Sequence, residues 1–281
     1  MRKQCVVAAG SLAVLFACLS AALAAERPQV PRALAQLPVA TQQTIRSQIG
    51  SGKLVSVEKD TEDGEVTYEV EMTRDGKTRS FTVDADGELI DEQMFLAELP
   101  GAVQKTIQTQ VGKGSLGEIF KSAEDGEVSY DVEMTSAGRT RNFTVGDKGE
   151  LLDMEVFLPE LPAELQKAIQ AKIGNGTLRE IDKNLGEDEI TYDVEVTSGE
   201  KTRTLTFDSN GTLVSTEEPT ALSETPEAVQ KTVKTLSVGG RVLAVSSVTE
   251  SNEVSYDVDV KLAGKEKSFS IDSGGKVLPE D

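Results

Sequence analysis

The sequence predicts an α+β protein of four tandem small units, each a helix packed on a three- to four-stranded antiparallel sheet. Three observations predict it. A proline recurs at Pro38, Pro100, Pro162 and Pro226, and a tyrosine at Tyr68, Tyr130, Tyr192 and Tyr256; both series step by 62, 62 and 64 residues. A stretch with apolar residues four apart follows each proline, and strict apolar–polar alternation surrounds each tyrosine. Asp-Gly and similar pairs separate the segments. A repeat this long is a supersecondary unit or small domain.

The first residues read as a removable leader. Arg2 and Lys3 precede a mostly apolar run, Val6 to Ala22, and Ala22-Leu23-Ala24 fits a small-x-small cleavage site. A leader over 1–24 and a lead-in over 25–36 are therefore expected. Leu15-Phe16-Ala17-Cys18 resembles a lipobox, but Phe16 is poor at its position and the apolar run continues to Ala25, so a lipid anchor at Cys18 is disfavoured. Cys5 and Cys18 are the only cysteines, so the mature chain would have no disulfide, thiolate nucleophile or cysteine metal site. Each unit must then fold on packing alone, with help from its neighbours.

Unit one spans 37–92. Pro38 suits a first helical position. Thr41, Ile45 and Ile49 form one stripe, and Gly50 and Gly52 stop the helix. Leu54 and Val57 predict a first short strand. Val66, Tyr68, Val70 and Met72 then alternate with Thr67, Glu69, Glu71 and Thr73, the pattern of a half-buried strand with an acidic outer face. Asp75-Gly76 signals a tight hairpin, with Arg79, Phe81 and Val83 on one face of the returning strand. A turn at Asp84–Gly87 leads to a last short strand at Leu89-Ile90. A helix and a sheet each have one apolar surface, so packing them together is the economical solution.

Units two (99–154), three (161–216) and four (225–281) repeat this order. Their helix stripes are Val103-Ile107-Val111, Leu165-Ile169-Ile173 and Val229-Val233. The apolar runs Met94-Phe95-Leu96 and Val156-Phe157-Leu158 predict short, semi-rigid junctions. Polar Glu217-Glu218-Pro219-Thr220 predicts a looser hinge before unit four.

Composition excludes several functions. The chain carries 29 basic and 48 acidic residues, a formal charge of −19. That disfavours nucleic acid and anionic membrane surfaces and favours basic partners. The absence of histidine and tryptophan, with cysteine confined to the leader, removes Ser-His, thiol and most zinc chemistry. The carboxylate pairs Glu69/Glu71, Asp131/Glu133, Asp193/Glu195 and Asp257/Asp259 sit at i and i+2 on outer strand faces. Four equivalent pairs read as a repeated solvated face or a partner surface, not as one catalytic site, and no enzyme is expected. The loops at Asp84–Glu88, Asp147–Glu150, Asp208–Gly211 and Asp272–Gly275 have turn chemistry, and their glycine falls at the wrong offset for an EF-hand. No cofactor is expected; the one opening for a cation is weak calcium binding at these turns. The tyrosines are expected in the cores, and Lys77, Arg79, Arg139, Arg141, Lys201 and Arg203 are expected to pair with the acidic strand across each hairpin.

The pattern LPxxVQKxI…G…I…DGEVxYxVE…GxxRxFxVxxxGEL resembles the PepSY-like group, also described as beta-lactamase-inhibitor-like, from Leu37 to about Leu278. The resemblance implies an exported bacterial protein with a helix on a small antiparallel sheet, and a role in binding, protease inhibition or propeptide-type control. The inhibitors of the related fold hold their enzyme by a concave sheet surface rich in aromatics; here that surface is rich in carboxylates. The expectation is a periplasmic or secreted, non-catalytic binding protein without a membrane span, with a protein or peptide partner outside the cytoplasm, cationic in character, and a secreted enzyme as the target it restrains. The alternatives are a hydrolase or protease inhibitor, and an acidic structural or weakly cation-binding envelope protein.

Overall fold

The computed structural model describes residues 34–279 except 63–64, 125, 187–188, 200 and 263–264. The leader, both cysteines, the cleavage site, most of the lead-in and the Asp63-Gly64 turn lie outside the described residues. The chain divides into two compact units, one ending at Glu92 and one beginning at Gln93.

The first compact unit contains helix α1 (Val39–Ile49), strands β1 (Lys53–Glu62), β2 (Glu65–Arg74) and β3 (Lys77–Asp84), and all but the last residue of β4 (Leu89–Gln93). The strands pair antiparallel in chain order. Pro38 lies one residue before the helix and not at its first position: with ψ at 148° its backbone is still extended, and its carbonyl accepts the first helical bond from Gln42 N–H. Gly50, at φ 52°, ends the helix. One side of α1 supplies Thr41 and Ile45 to the core, against Val70, Met72, Phe81 and Val83 from the sheet. The first strand is ten residues, not short. Its charged half, Glu58 to Glu62, continues to pair with β2, because backbone pairing does not require buried side chains.

The second compact unit holds helices α2 (Gly101–Val111), α3 (Ala163–Ile173) and α4 (Glu227–Leu236). Its strands are β5 (Ser115–Glu124), β6 (Glu127–Ser136), β7 (Arg139–Gly146), β8 (Leu151–Glu155), β9 (Thr177–Leu185), β10 (Ile190–Ser198), β11 (Lys201–Asp208), β12 (Leu213–Pro219), β13 (Gly240–Glu250), β14 (Glu253–Leu262) and β15 (Lys265–Asp272). They form one antiparallel meander in chain order. The three helices lie on one side of it, each over its own core: Val103 and Ile107 in the first, Leu165 and Ile169 in the second, Val229 and Val233 in the third. Tyr130 and Tyr192 are buried there as Tyr68 is in the first compact unit, and Tyr256 is half-buried against the third core.

Two joints carry the meander from one helix-bearing segment to the next. At β8–β9 the residue pairs are Asp153–Asn184, Met154–Lys183 and Glu155–Asp182. At β12–β13 there are five, from Ser215–Glu250 to Pro219–Ser246. The expected loose hinge before the fourth helix is thus the more extensively paired joint. The two residues that stretch the last repeat step from 62 to 64 lengthen β12 to seven residues, against five in β8. Short 3-10 turns, Leu96–Glu98, Leu158–Glu160 and Leu222–Glu224, then lead into the helices. Met94 and Leu96 pack into the core under α2, and Val156 and Leu158 into the core under α3, so these apolar runs act as staples for the helix that follows.

The turn after each third strand docks against the helix. Gly149, at φ 89°, leaves only 2.8 Å between a would-be Cβ and the Ala102 carbonyl carbon. Thr106 Oγ1 donates to Gly149 O at 2.6 Å, and Thr44 and Thr232 make the same bond to Gly87 and Gly275. In the corresponding turns the Asp84, Asp208 and Asp272 carboxylates accept the backbone N–H four residues on, from Glu88, Thr212 and Lys276. The structural counterpart of Asp84 in the α2 segment is Gly146 and not Asp147: Gly146 N–H bonds to Glu150 O as Asp84 N–H does to Glu88 O, and the Glu150 carboxyl fills the space a side chain at 146 would need.

Candidate functional site

Alternation along β2, β6, β10 and β14 turns the tyrosine and valine side chains to the helices and the carboxylates to the opposite sheet face. Glu69, Asp131 and Glu133 are exposed; Glu71, Asp193, Glu195, Asp257 and Asp259 are half-buried.

Register decides what each carboxylate meets. In the first compact unit Glu69 lies opposite Glu58 and Thr82, and Glu71 opposite Ser56 and Ser80, with Ser56 Oγ 3.3 Å from Glu71 Oε2. In the second, Thr144 Oγ1 is 2.9 Å from Asp131 Oδ1 and 3.0 Å from Asp153 Oδ1. A hydroxyl has one proton, so it donates to one of them at a time. Burial is the main cause that raises the Asp153 carboxyl above the ordinary range; Thr144 partly offsets it, and the Asp131 carboxylate adds to it. Asp193 accepts from Thr206 at 2.7 Å and from Asn184 Nδ2 at 2.7 Å. Asp257 accepts from Ser270 at 2.7 Å, and Asp259 from Ser268 at 2.6 Å.

The basic residues are elsewhere. Arg79 is paired with Met72, Arg141 with Met134 and Arg203 with Val196, so all three stand on the helix side. For Arg141 and Arg203 the expected pairing with the acidic strand fails because directly opposed residues share a face; Thr or Ser stands opposite most of the carboxylates on the returning strand, and Asn142 opposite Glu133. Arg141 instead bonds Glu160 at 2.8 Å, holding that carboxyl below its usual range, and Arg139 and Arg141 both lie 4.9 Å from the Phe157 ring centre. Arg203 donates to Lys172 O at 3.0 Å, and Arg74 to Gln48 O, both at helix C-terminal ends.

The densest part of the acidic face was not legible as such in the sequence. On β8, β9 and β10, Glu155 lies opposite Asp182, Asp182 opposite Asp193, and Glu180 opposite Glu195. Burial first, then the surrounding carboxylates, pushes Glu180 up to about 7 and Asp182 up to about 8. Glu155 is raised by burial, with Arg141 acting against the shift. Glu217, on β12, is raised by burial and by Asp257, Asp259 and Asp193. A short first strand, as the sequence predicts, leaves the outward residues of β9 without cross-strand neighbours. The signal was the Glu180-x-Asp182 alternation itself. Among the described residues no three acidic side chains gather in a metal-binding arrangement.

Comparison with known families places this architecture. A model described as "Putative beta-lactamase-inhibitor-like, PepSY-like" matches residues 128–215 and 190–278, together more than half of the chain. The chain belongs to the PepSY-like family. A PepSY model, described as peptidase propeptide and YPEB domain, matches residues 32–91 of the same PepSY-like chain. No curated protein matches it. Among solved structures it is similar to a DUF2874 family protein from Bacteroides uniformis, at 18% identity and a TM-score of 0.37, over 42% of this chain and 86% of that one. A BLIP-like protein from Bacteroides fragilis is 16% identical with a TM-score of 0.33, over 43% and 86%. A "putative periplasmic" protein from Bacteroides eggerthii is 14% identical with a TM-score of 0.34, over 43% and 88%.

Proposed function

We propose that this PepSY-like chain is a non-catalytic binding protein that works outside the cytoplasm and docks a cationic segment of a partner protein on the sheet face away from its helices. The observation that carries the reading is the partnering of that face: Asp131, Asp193, Asp257 and Asp259 are met by hydroxyls and an amide, which orient the carboxylates without neutralising them. Lysine or arginine side chains of a partner would supply the missing charge, with an affinity that falls as salt rises. Glu133 and Glu195 complete the proposed contact face of the second compact unit, and Glu69 and Glu71 form a separate proposed face on the first. Four segments, 37–92, 99–154, 161–216 and 225–281, would engage a partner with several basic sites by avidity.

The family description, with its propeptide and inhibitor associations, supports a role in restraining an exported enzyme. The periplasmic label of the Bacteroides eggerthii protein agrees with action in the periplasm or beyond. Among the described residues no helix is long and apolar enough to cross a membrane. The test is retention of a partner from periplasmic extract by the mature chain, followed by titration of that partner. An Asp131→Asn/Asp193→Asn/Asp257→Asn variant that remains folded is expected to weaken binding at least tenfold, about 1.4 kcal/mol. Unchanged affinity would remove this face from the reading. A hydrolase that is retained but fully active would leave binding standing and exclude inhibition.

A further inference from the structure

The two joints of the second compact unit differ in more than length. At β12–β13 no two carboxylates are directly opposed: Glu217 faces Val248, Glu218 faces Ser247 and Glu250 faces Ser215. The β8–β9 joint has only its three residue pairs and the bond from Val156 N–H to Ile181 O at 2.8 Å. One of those pairs is Glu155 against Asp182, and Asp182 meets Asp193 on its other side. Directly opposed like charges destabilise strand pairing.

We propose that the β8–β9 pairing is a pH-responsive joint, closed while its carboxyls hold protons and loosened when they ionise. The groups facing Asp182 are Asp153 and Glu155 from β8, Glu180 from its own strand and Asp193 from β10; Glu180 is faced by Glu155, Asp153 and Glu195. Every charged group acting on Asp182 or Glu180 is therefore another carboxylate. Arg141 from β7 acts on Glu155, but Glu160 opposes it. Lys183, next in sequence, pairs with Met154 and Tyr192 and so stands on the helix side. The raised proton affinity of Glu180 and Asp182 puts the transition between about pH 7 and 8. Proton loss adds negative charge where only three pairs hold the strands. The β12–β13 joint lacks this arrangement and stays closed. The inference rests on the opposed register of these carboxyls and on their raised proton affinity, and stands whether or not the acidic face binds a partner.

Hydrogen exchange on the full mature chain tests it, with rates corrected for the intrinsic effect of pH. Between about pH 6 and about pH 8.5, protection of the Val156 amide and of the β8–β9 ladder is expected to fall about tenfold, the equivalent of one pKa unit. Protection at β12–β13 is expected to hold. In a Glu180→Gln/Asp182→Asn variant the β8–β9 amides should stay protected at both pH values. Should that variant fail to fold, salt at about 1 M on the wild-type chain replaces it and is expected to restore protection at the higher pH. Equal wild-type protection at both pH values overturns the proposal. So does a variant that loses protection as the wild type does, or a loss that salt leaves untouched.

Discussion

At the scale of single residues, the recurring glutamine of the VQK pattern shows how a motif can carry structure without chemistry. Gln42, Gln104, Gln166 and Gln230 each reach back to the carbonyl just before the helix proline, at 2.8 to 2.9 Å. That bond ties the incoming chain to the first helical turn. Gln104→Ala should cost about 1 kcal/mol, seen as a lower denaturant midpoint at constant slope. The carboxyls on β9 give a pH prediction. Folding raises Glu180 and Asp182 far above the ordinary values of 4.5 and 3.8. The folded chain then holds protons that the unfolded chain has released. The resulting stabilisation is complete below about pH 4 and is lost as pH rises through 7 and 8. The melting temperature should therefore fall by a few degrees between about pH 5 and about pH 9, by an amount that solvent screening limits. Asp182→Asn should flatten that slope. The eight outward carboxylates were legible in the sequence, since strand period alone sets their face. Their partners were not: whether Asp193 meets Asp182 or a lysine depends on cross-strand register, which the intervening turn sets.

At the scale of elements, the turns after the third strands decide how closely helix and sheet approach. Gly149 and Gly138 both have positive φ, but only Gly149 is crowded; nothing lies within 4 Å of a Cβ built on Gly138. Gly138→Ala should cost about 1 kcal/mol for backbone strain alone. Gly149→Ala should cost about 3 kcal/mol or more, because α2 must also back away from the turn. Chemical denaturation of the two variants separates the contributions. The Asp, Asn and Gly residues marked these turns, but sequence could not show that the glycine serves helix docking, because α2 approaches from more than forty residues away. A shorter separation in the chain hid the arginine environment as well. Phe157, which precedes a 3-10 turn, lies under Arg139 and Arg141 from β7, and Phe157→Leu should lose about 1 kcal/mol of stability.

At the scale of the whole molecule, helix-on-sheet packing followed from one apolar surface per element and was readable from periodicity. That the sheets of the second compact unit run on into one meander was not readable, because it depends on backbone bonds at β8–β9 and β12–β13 whose side chains are polar. The meander has a kinetic consequence. Every strand in it pairs only with its neighbours in the chain, and each helix covers strands that follow it directly. No segment must wait for a distant one, so loop closure remains cheap and contact order low. A polypeptide threaded out of a translocation pore N-terminus first could lay down this sheet strand by strand as it emerged, with each finished segment serving as the template for the next.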